Sequence, residues 1–352
     1  MTTKKRVFVG MSGGVDSSTT AALLKQQGYD VTGVYMKNWA EDLPGFYCPW
    51  QDDYEDAMRV AVQLDIPFKM YDFQKEYRSK VVDYMLDAYK QGLTPNPDIM
   101  CNQEIKFKLF LDAALEDGAD LIATGHYAHT KDGRLYQARD SQKDQSYFLY
   151  RVDSAALERT LFPLGDTTKD EVRQTAKKLD LATANKPDSQ GICFIGDVPI
   201  EEFLAQFIDT EPGNIIDENA AVVGQHNGAL FYTIGQRHGL GIGGGLPYYV
   251  TGKDMAKNEV YVTSDISSDD LWSRELTLVS THWIVDSPIA AEAYQARIRH
   301  RGELLECKVV TDANETVVVL ADSVRAAAAG QSVVIYRGNE CLGGGIISKT
   351  KP

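Results

Sequence analysis

The 352 residues exceed what one ordinary hydrophobic core organises, so two or three domains are expected. A hydrophobic content of 43% with 24% charged residues is that of a soluble globular protein, and no apolar run approaches the roughly 20 residues of a membrane span. The net charge of −14 argues against nucleic-acid binding over the whole surface but leaves room for a local basic track.

Met1-Thr2-Thr3-Lys4-Lys5-Arg6 runs straight into a strand without a signal-peptide pattern, which predicts a cytoplasmic protein with no membrane association. The pattern predicts strands at Val7–Val9, Val31–Tyr35, Phe68–Asp72 and Leu121–Thr124. Helices are predicted at Ser17–Gln27, Asp53–Leu64, Glu76–Gln91, Ile105–Asp117 and Lys169–Lys178. This alternation implies an α/β fold with a parallel sheet, whose ligands sit beyond the strand C-termini. After about Phe194 the texture changes. A short helix is expected at Glu201–Phe207, and turn residues then dominate to Thr251. Short β-rich runs follow at Leu276–Val279, Ala293–Arg299, Glu306–Val310, Thr316–Leu320, Ser332–Tyr336 and Gly345–Ile347, separated by turns at Asp312–Asn314 and Arg337–Asn339. They predict a small C-terminal β-barrel. The expected division is 1–200, a Rossmann-like catalytic domain, 201–272, a small central domain, and 273–352, the barrel.

Four segments carry chemistry. In the first, the strand Val7–Val9 feeds Gly10-Met11-Ser12-Gly13-Gly14-Val15-Asp16-Ser17-Ser18 and then a helix. Adjacent glycines let a phosphate approach the backbone, and the positive helix end lies behind them. No lysine follows the last glycine, so the loop is not of the Walker type. Asp16 would repel a bare phosphate, which calls for a bridging Mg²⁺. In the second, two prolines stiffen Thr94-Pro95-Asn96-Pro97-Asp98, and a helix starting near Asn102 would put Cys101 at its positive end, favouring thiolate. Asp98 is close enough to move a proton, although its charge would push the thiol pKa up. In the third, Lys186–Ile195 places Cys193 in a polar, Gly-containing loop. Two such cysteines could relay a persulfide sulfur if their loops converge. In the fourth, Arg297, Arg299 and Arg301 would share one face of a strand and form a basic track, or simply a solvated edge. Cys48, Cys307 and Cys341 have no comparable context and read as structural. Gly239–Gly245 contains G-x-G-x-x-G, but Pro247 and two tyrosines follow instead of a helix, so it is no dinucleotide site.

The cradle string SGGVDSS resembles the pyrophosphate loop of the ATP-pyrophosphatases. Together with NPDIMCNQEIKFK at Asn96–Lys108, GHYA at Gly125–Ala128, KDQSYFLY at Lys143–Tyr150, DSQGICFIG at Asp188–Gly196 and FYTIGQRHGLGIGG at Phe231–Gly244, it resembles the bacterial tRNA-specific 2-thiouridylases over essentially the whole chain. That resemblance implies ATP bound by Gly10, Met11, Ser12, Gly13, Gly14, Val15, Asp16 and Ser17, with Met36 and Gly125 near the adenine and ribose. It implies Asn96, Pro97 and Asp98 at the target base, Cys193 as persulfide carrier and Cys101 as its partner. It further implies tRNA contacts at His126, Lys143, Asp144, Gln145, Arg299, His300 and Gln331. Lys106 and Lys108 beside the Cys101 loop are further candidates for gripping RNA. The implied substrates are the tRNAs for Lys, Glu and Gln, the implied sulfur source a relay fed by a cysteine desulfurase, and the product 2-thiouridine, with AMP and pyrophosphate. Two other readings keep part of the pattern. An amide-forming ligase would use the cradle without reactive cysteines, and a non-enzymatic RNA binder would leave the cradle idle.

Overall fold

The computed structural model describes residues 4–352 apart from 43, 45, 46, 189, 190, 192, 194, 197, 244–246, 290, 291 and 312–314. Parts of the Asp188–Gly196 and Gly239–Gly245 motifs and the Asp312–Asn314 turn therefore lie outside the described residues. The strands are β1 (Arg6–Gly10), β2 (Asp30–Lys37), β3 (Phe68–Asp72), β4 (Leu121–Ala123), β5 (Ala128–Lys131), β6 (Arg134–Gln137), β7 (Thr160–Leu161), β8 (Gly213–Ile216), β9 (Val222–His226), β10 (Tyr249–Asp254), β11 (Glu259–Thr263), β12 (Trp272–Trp283), β13 (Tyr294–Arg297), β14 (Leu305–Thr311), β15 (Thr316–Arg325), β16 (Ser332–Arg337) and β17 (Glu340–Lys351).

Among the described residues, β1, β2, β3, β4 and β7 form a five-stranded parallel sheet in the order β3-β2-β1-β4-β7. Val7, Phe8 and Val9 of the central strand are buried because helices cover both faces of such a sheet. The order reverses direction at β1, so the crevice beyond the C-terminal ends of β1 and β4 is the switch point where ligands bind in this architecture. The helix Lys169–Lys178 starts at a capping box in which Thr168 and Glu171 satisfy each other's backbone N–H groups.

The stretch expected to be turn-rich holds a four-stranded sheet, β10-β11-β8-β9. Its inward residues Ile215, Val250, Val260 and Val262 form a small separate core. The strands are short and their alternation is interrupted by bulges at Ile215/Ile216 and Val250/Gly252, which blurred the period-2 signal. The C-terminal strands close as β12-β15-β14-β13-β16-β17, with β12 pairing back onto β17. This six-stranded antiparallel barrel removes both free edges.

The barrel is bolted to the parallel-sheet domain. The β5–β6 hairpin, which lies in the N-terminal half of the sequence, pairs through Tyr136 and Leu135 with Glu340 and Cys341 of β17. Phe107, Tyr147 and Leu149 share one buried cluster with Val334, Tyr336 and Cys341. Within it, Arg297 is 7% exposed and its guanidinium lies 2.7 Å from the Asp144 carboxylate, itself 2% exposed. Asp144 also accepts from the N–H groups of Ala138 and Ser146 and from the Ser146 hydroxyl. Tyr147 donates to the carbonyls of Ile298 and Ser332.

Breaking a buried ion pair leaves one charge uncompensated at a cost of about 3–5 kcal/mol, whereas removing both charges costs less. Asp144→Ala is therefore expected to lower stability by roughly 3 kcal/mol, and Asp144→Ala/Arg297→Met to recover part of the loss. Urea unfolding followed by tryptophan fluorescence measures both. Equal loss in the single and double variants would contradict a paired, buried joint.

Candidate active site

The first half of the site is the loop between β1 and the helix Val15–Gln26. That helix has no side-chain cap at Gly14, so its leading N–H groups are available to an anion. Gly13 has φ +74°, and a Cβ there would lie 2.4 Å from the Asp53 carbonyl oxygen, so only glycine fits. Ser17 Oγ accepts from the Ser12 N–H at 3.1 Å and donates to the Gly14 carbonyl at 3.1 Å, which fixes the loop's curvature. Gly125, just after β4, presses on this loop: a Cβ there would lie 2.8 Å from the Ser17 nitrogen. Met36, near the end of β2, packs against Gly10.

Asp16 does not face solvent alone. Lys169 Nζ lies 2.7 Å from both of its oxygens, and Tyr127 donates to it at 2.8 Å. Lys169 also touches Asp188 at 2.9 Å, where Lys143 (2.7 Å) and Arg173 (2.6 Å) converge. Burial opposes the Asp188 charge, but Lys143 and Lys169 hold its carboxyl well below the usual range. Burial and then Asp16 push the Tyr127 hydroxyl far up, so it stays a donor. Lys169, Arg173 and Tyr127 were not among the residues expected from sequence. The segments that carry them lie far from the loop along the chain, and no local spacing signals their approach.

The second half holds the sulfur atoms. Cys101 and Cys193 are free thiols, with Sγ atoms 3.8 Å apart and the Cys101 S–H directed at Cys193. The Cys193 N–H donates to Asp98 Oδ1 at 3.2 Å, and the Tyr77 hydroxyl donates to the Cys193 carbonyl. The expected helix start at Asn102 is displaced. The helix begins at Pro97, and the Asn96 side chain caps it by accepting from the N–H groups of Asp98 and Ile99. Cys101 thus lies a turn inside the helix and is fully buried, not at the positive end. Its thiol is pushed well above the ordinary value, first by burial and then by its neighbour. Cys193 is the partly exposed member, and its thiol is lowered by the Cys101 hydrogen bond, with Lys106 helping against burial.

Lys106 was expected on an RNA-facing surface, but its ammonium serves the thiols. Burial works against its charge, yet Cys193, Cys101 and Asp98 together hold its pKa above the ordinary value. From Cys101 to Leu109 the helix is π-helical. An α-helix turns about 100° per residue, so residues five apart diverge by about 140°. In a π-helix the hydrogen bond spans five residues and brings i and i+5 together. That widening sets Lys106 on the Cys101 side. Burial raises the Asp98 carboxyl despite Lys106 and the Cys193 N–H, which suits it to hold a proton.

His126 joins the two halves. It follows Gly125, shares a 2.7 Å hydrogen bond with Thr124, and packs between Phe107 and Phe162. Burial and Lys106 keep its ring neutral. Among the expected RNA contacts, Lys143, Asp144 and Gln145 spend their side chains inside the protein, on Asp188, Arg297 and the Tyr127 N–H. The basic face also changes. β13 ends at Arg297, which is buried. Arg299 is exposed and donates to the carbonyls of Arg325 and Ala326, and Arg301 is exposed in a left-handed turn. The three do not share a strand face. His300 stacks on Phe148 at 4.4 Å, and burial with the nearby Arg301 lowers its pKa to about 4. The Gln331 side chain accepts from the Ala328 N–H. Exposed Lys108 pairs with Glu104 at 3.3 Å. Cys48, Cys307 and Cys341 are buried, with thiol pKa values raised chiefly by burial. No helix among the described residues is long and apolar enough to cross a membrane.

Residues 5–197 match the family described as tRNA methyl transferase HUP domain, 201–264 the tRNA methyl transferase PRC-barrel domain, and 273–347 the aminomethyltransferase beta-barrel domain. The tRNA-specific 2-thiouridylase MnmA of Bacillus subtilis is 47% identical over 97% of this chain and 94% of its own length. The same-named protein of Bacillus licheniformis is 48% identical over 97% and 94%, and that of Enterococcus faecalis 45% over 98% and 96%.

The thiolate is the nucleophilic form, so alkylation rates follow thiol pKa. With its pKa lowered, Cys193 should be alkylated at neutral pH before the other cysteines. Lys106→Met removes a charge that favours thiolate, so the pH midpoint of Cys193 labelling should rise by about one pH unit or more. Iodoacetamide labelling read by peptide mass spectrometry measures both. An unchanged midpoint would show that Lys106 does not act on the thiol.

Proposed function

Because the chain belongs to the tRNA-specific 2-thiouridylase family and is a tRNA-uridine 2-sulfurtransferase, we propose that it thiolates the wobble uridine of the tRNAs for Lys, Glu and Gln at C2. The observation that carries this reading is the pair of thiols 3.8 Å apart with Asp98 and Lys106 beside them, on a helix whose Phe107 packs against His126, the neighbour of the Gly125 that presses on the glycine-rich loop. An amide-forming ligase has no use for that pair.

The loop Gly10–Ser17 holds the phosphates of ATP through backbone N–H groups and serine hydroxyls, with Met36 and Gly125 at the nucleoside. Mg²⁺ is commonly held by one or two carboxylates together with substrate phosphates, and Asp16 at the loop is suited to that role. The uridine O2 attacks the α-phosphorus, pyrophosphate leaves, and a poor leaving group becomes AMP. A persulfide on Cys193 supplies the sulfur, loaded by a relay that a cysteine desulfurase feeds. Its terminal sulfur attacks C2, directly or as sulfide freed when the Cys101 thiolate attacks Cys193 Sγ. Either route expels AMP, leaves 2-thiouridine and ends with a Cys101–Cys193 disulfide, which a thiol reductant must reopen. Asp98, with its raised pKa, takes the Cys101 proton, and Lys106 stabilises the thiolate. The uridine leaves the anticodon stack to reach this site. The exposed Arg299 and Arg301, with His300 and Gln331 nearby, supply backbone contacts from the barrel.

Thiolation of an unmodified tRNA(Glu) transcript tests this reading. With ATP, Mg²⁺ and a persulfide donor, a mercury-containing gel should show a retarded band for the wild type. Cys193→Ser and Cys101→Ser should reduce it to background, and chelation of Mg²⁺ should do the same. Retardation that persists in Cys193→Ser would overturn the persulfide role. Pyrophosphate release on a small carbonyl substrate, with no thiolation of any tRNA, would favour the ligase.

A further inference from the structure

The phosphate loop lacks the lysine of a Walker motif, yet a lysine stands at it. Lys169 opens the helix Lys169–Lys178, and its ammonium arrives from 153 residues away in sequence. It is 9% exposed, and the structure gives it a defined set of neighbours. Its Nζ lies 2.7 Å from both Asp16 oxygens, 2.9 Å from Asp188 Oδ1 and 5.9 Å from the centre of the Tyr127 ring. Lys143 and Arg173 approach the same Asp188 carboxylate from other directions. The site thus brings three cations, Lys143, Lys169 and Arg173, around two carboxylates, Asp16 and Asp188.

Asp16 lies in the first turn of the helix that leaves the glycine-rich loop, so Lys169, 2.7 Å from its carboxylate, stands beside the helix end that would receive the phosphates. Adenylation breaks the bond between the α-phosphorus and the bridging oxygen. The electron pair leaves with pyrophosphate, and negative charge grows beside Asp16. A buried cation that can let go of a carboxylate is what that step requires. We infer that Lys169 is the phosphate-binding lysine of this site. It exchanges the Asp16 carboxylate for β- and γ-phosphate oxygens and stabilises the departing pyrophosphate, an exchange that would leave the Asp16 carboxylate available to hold Mg²⁺. Asp188 keeps the lysine placed when no nucleotide is bound. The inference rests on the reading that the chain consumes ATP at this loop.

Calorimetric titration with inorganic pyrophosphate and, separately, with AMP tests it on the full chain. Lys169→Met should weaken pyrophosphate binding about tenfold or more, the scale of a lost charged hydrogen bond, and Lys169→Arg should restore part of it. AMP has no β- or γ-phosphate, so its affinity should stay within about twofold in all three proteins. Retained AMP binding also shows that the loop is still formed. Unchanged pyrophosphate affinity, or equal loss of both ligands, would make Lys169 a strut between Asp16 and Asp188 and overturn the inference. A measurement on the wild type covers the case in which Lys169→Met does not fold. In lysine-labelled protein, the Lys169 ammonium signal, identified by its absence in Lys169→Arg, should shift with pyrophosphate and not with AMP. A signal indifferent to pyrophosphate would overturn the inference. These titrations need neither tRNA nor a sulfur donor. Failure of the wild type to thiolate would therefore defeat the functional reading and leave the pyrophosphate result standing.

Discussion

A single ammonium beside two sulfur atoms sets the character of the reactive centre. Lys106 lies against Cys101, Cys193 and Asp98 in a pocket that burial would otherwise keep neutral. Burial acts to raise both thiols; at Cys193 the Cys101 hydrogen bond, with Lys106 second to it, outweighs burial. The two thiols thereby separate into different roles. Cys193, partly exposed and hydrogen-bonded by its neighbour, carries the lowered pKa, and Cys101, sealed in the core, carries the raised one. A sulfur carrier has to meet a donor at the surface, whereas a resolving thiol has only to meet the carrier. In the relay proposed above, the burial pattern suits Cys193 to the first duty and Cys101 to the second, and the π-helical stretch Cys101–Leu109 sets Lys106 beside them.

The nucleotide half depends on a chain of charges that leads away from the thiols. Asp16, Lys169, Asp188 and Lys143 follow one another at 2.7 to 2.9 Å. From there the run Lys143-Asp144-Gln145 divides three ways. One side chain goes to the Asp188 carboxylate, one to the barrel's Arg297, and one to the N–H of Tyr127, whose hydroxyl returns to Asp16. Three consecutive residues therefore hold the phosphate loop, the loop that leads to Cys193 and the barrel in register.

The parallel sheet and the glycine-rich turn from β1 into the following helix were legible in the sequence, and the two cysteine segments that meet were singled out there. Val7–Val9 and the glycines after them read as strand and cradle, and the helix at Lys169–Lys178 was placed to the residue. Errors fell where local pattern and tertiary context part company. The start near Asn102 overlooked Asn96 as a cap and Pro97 as a first helical residue, a pair that commonly opens helices. The basic run Arg297–Arg301 looked like one face because alternation assumes a continuous strand, and the strand stops at Arg297. The central sheet was missed because its strands are short and bulged.

What the sequence alone determined is which groups are present and which backbone forms are affordable. Paired glycines require a close approach, alternating apolar runs require a sheet, and two cysteines in polar loops offer sulfur chemistry. What only the tertiary structure decided is which charges meet. Lys106 turning inward to the thiols, Lys169 crossing 153 residues to Asp16, and Arg297 burying itself on Asp144 are all set by distances of a few ångströms between distant segments. The physical reason is the range of the forces. Hydrophobic periodicity and turn preference act over a few neighbouring residues and leave a mark in the sequence. An ion pair is short-ranged in space and blind to separation along the chain, so it appears only once the fold has brought the partners together.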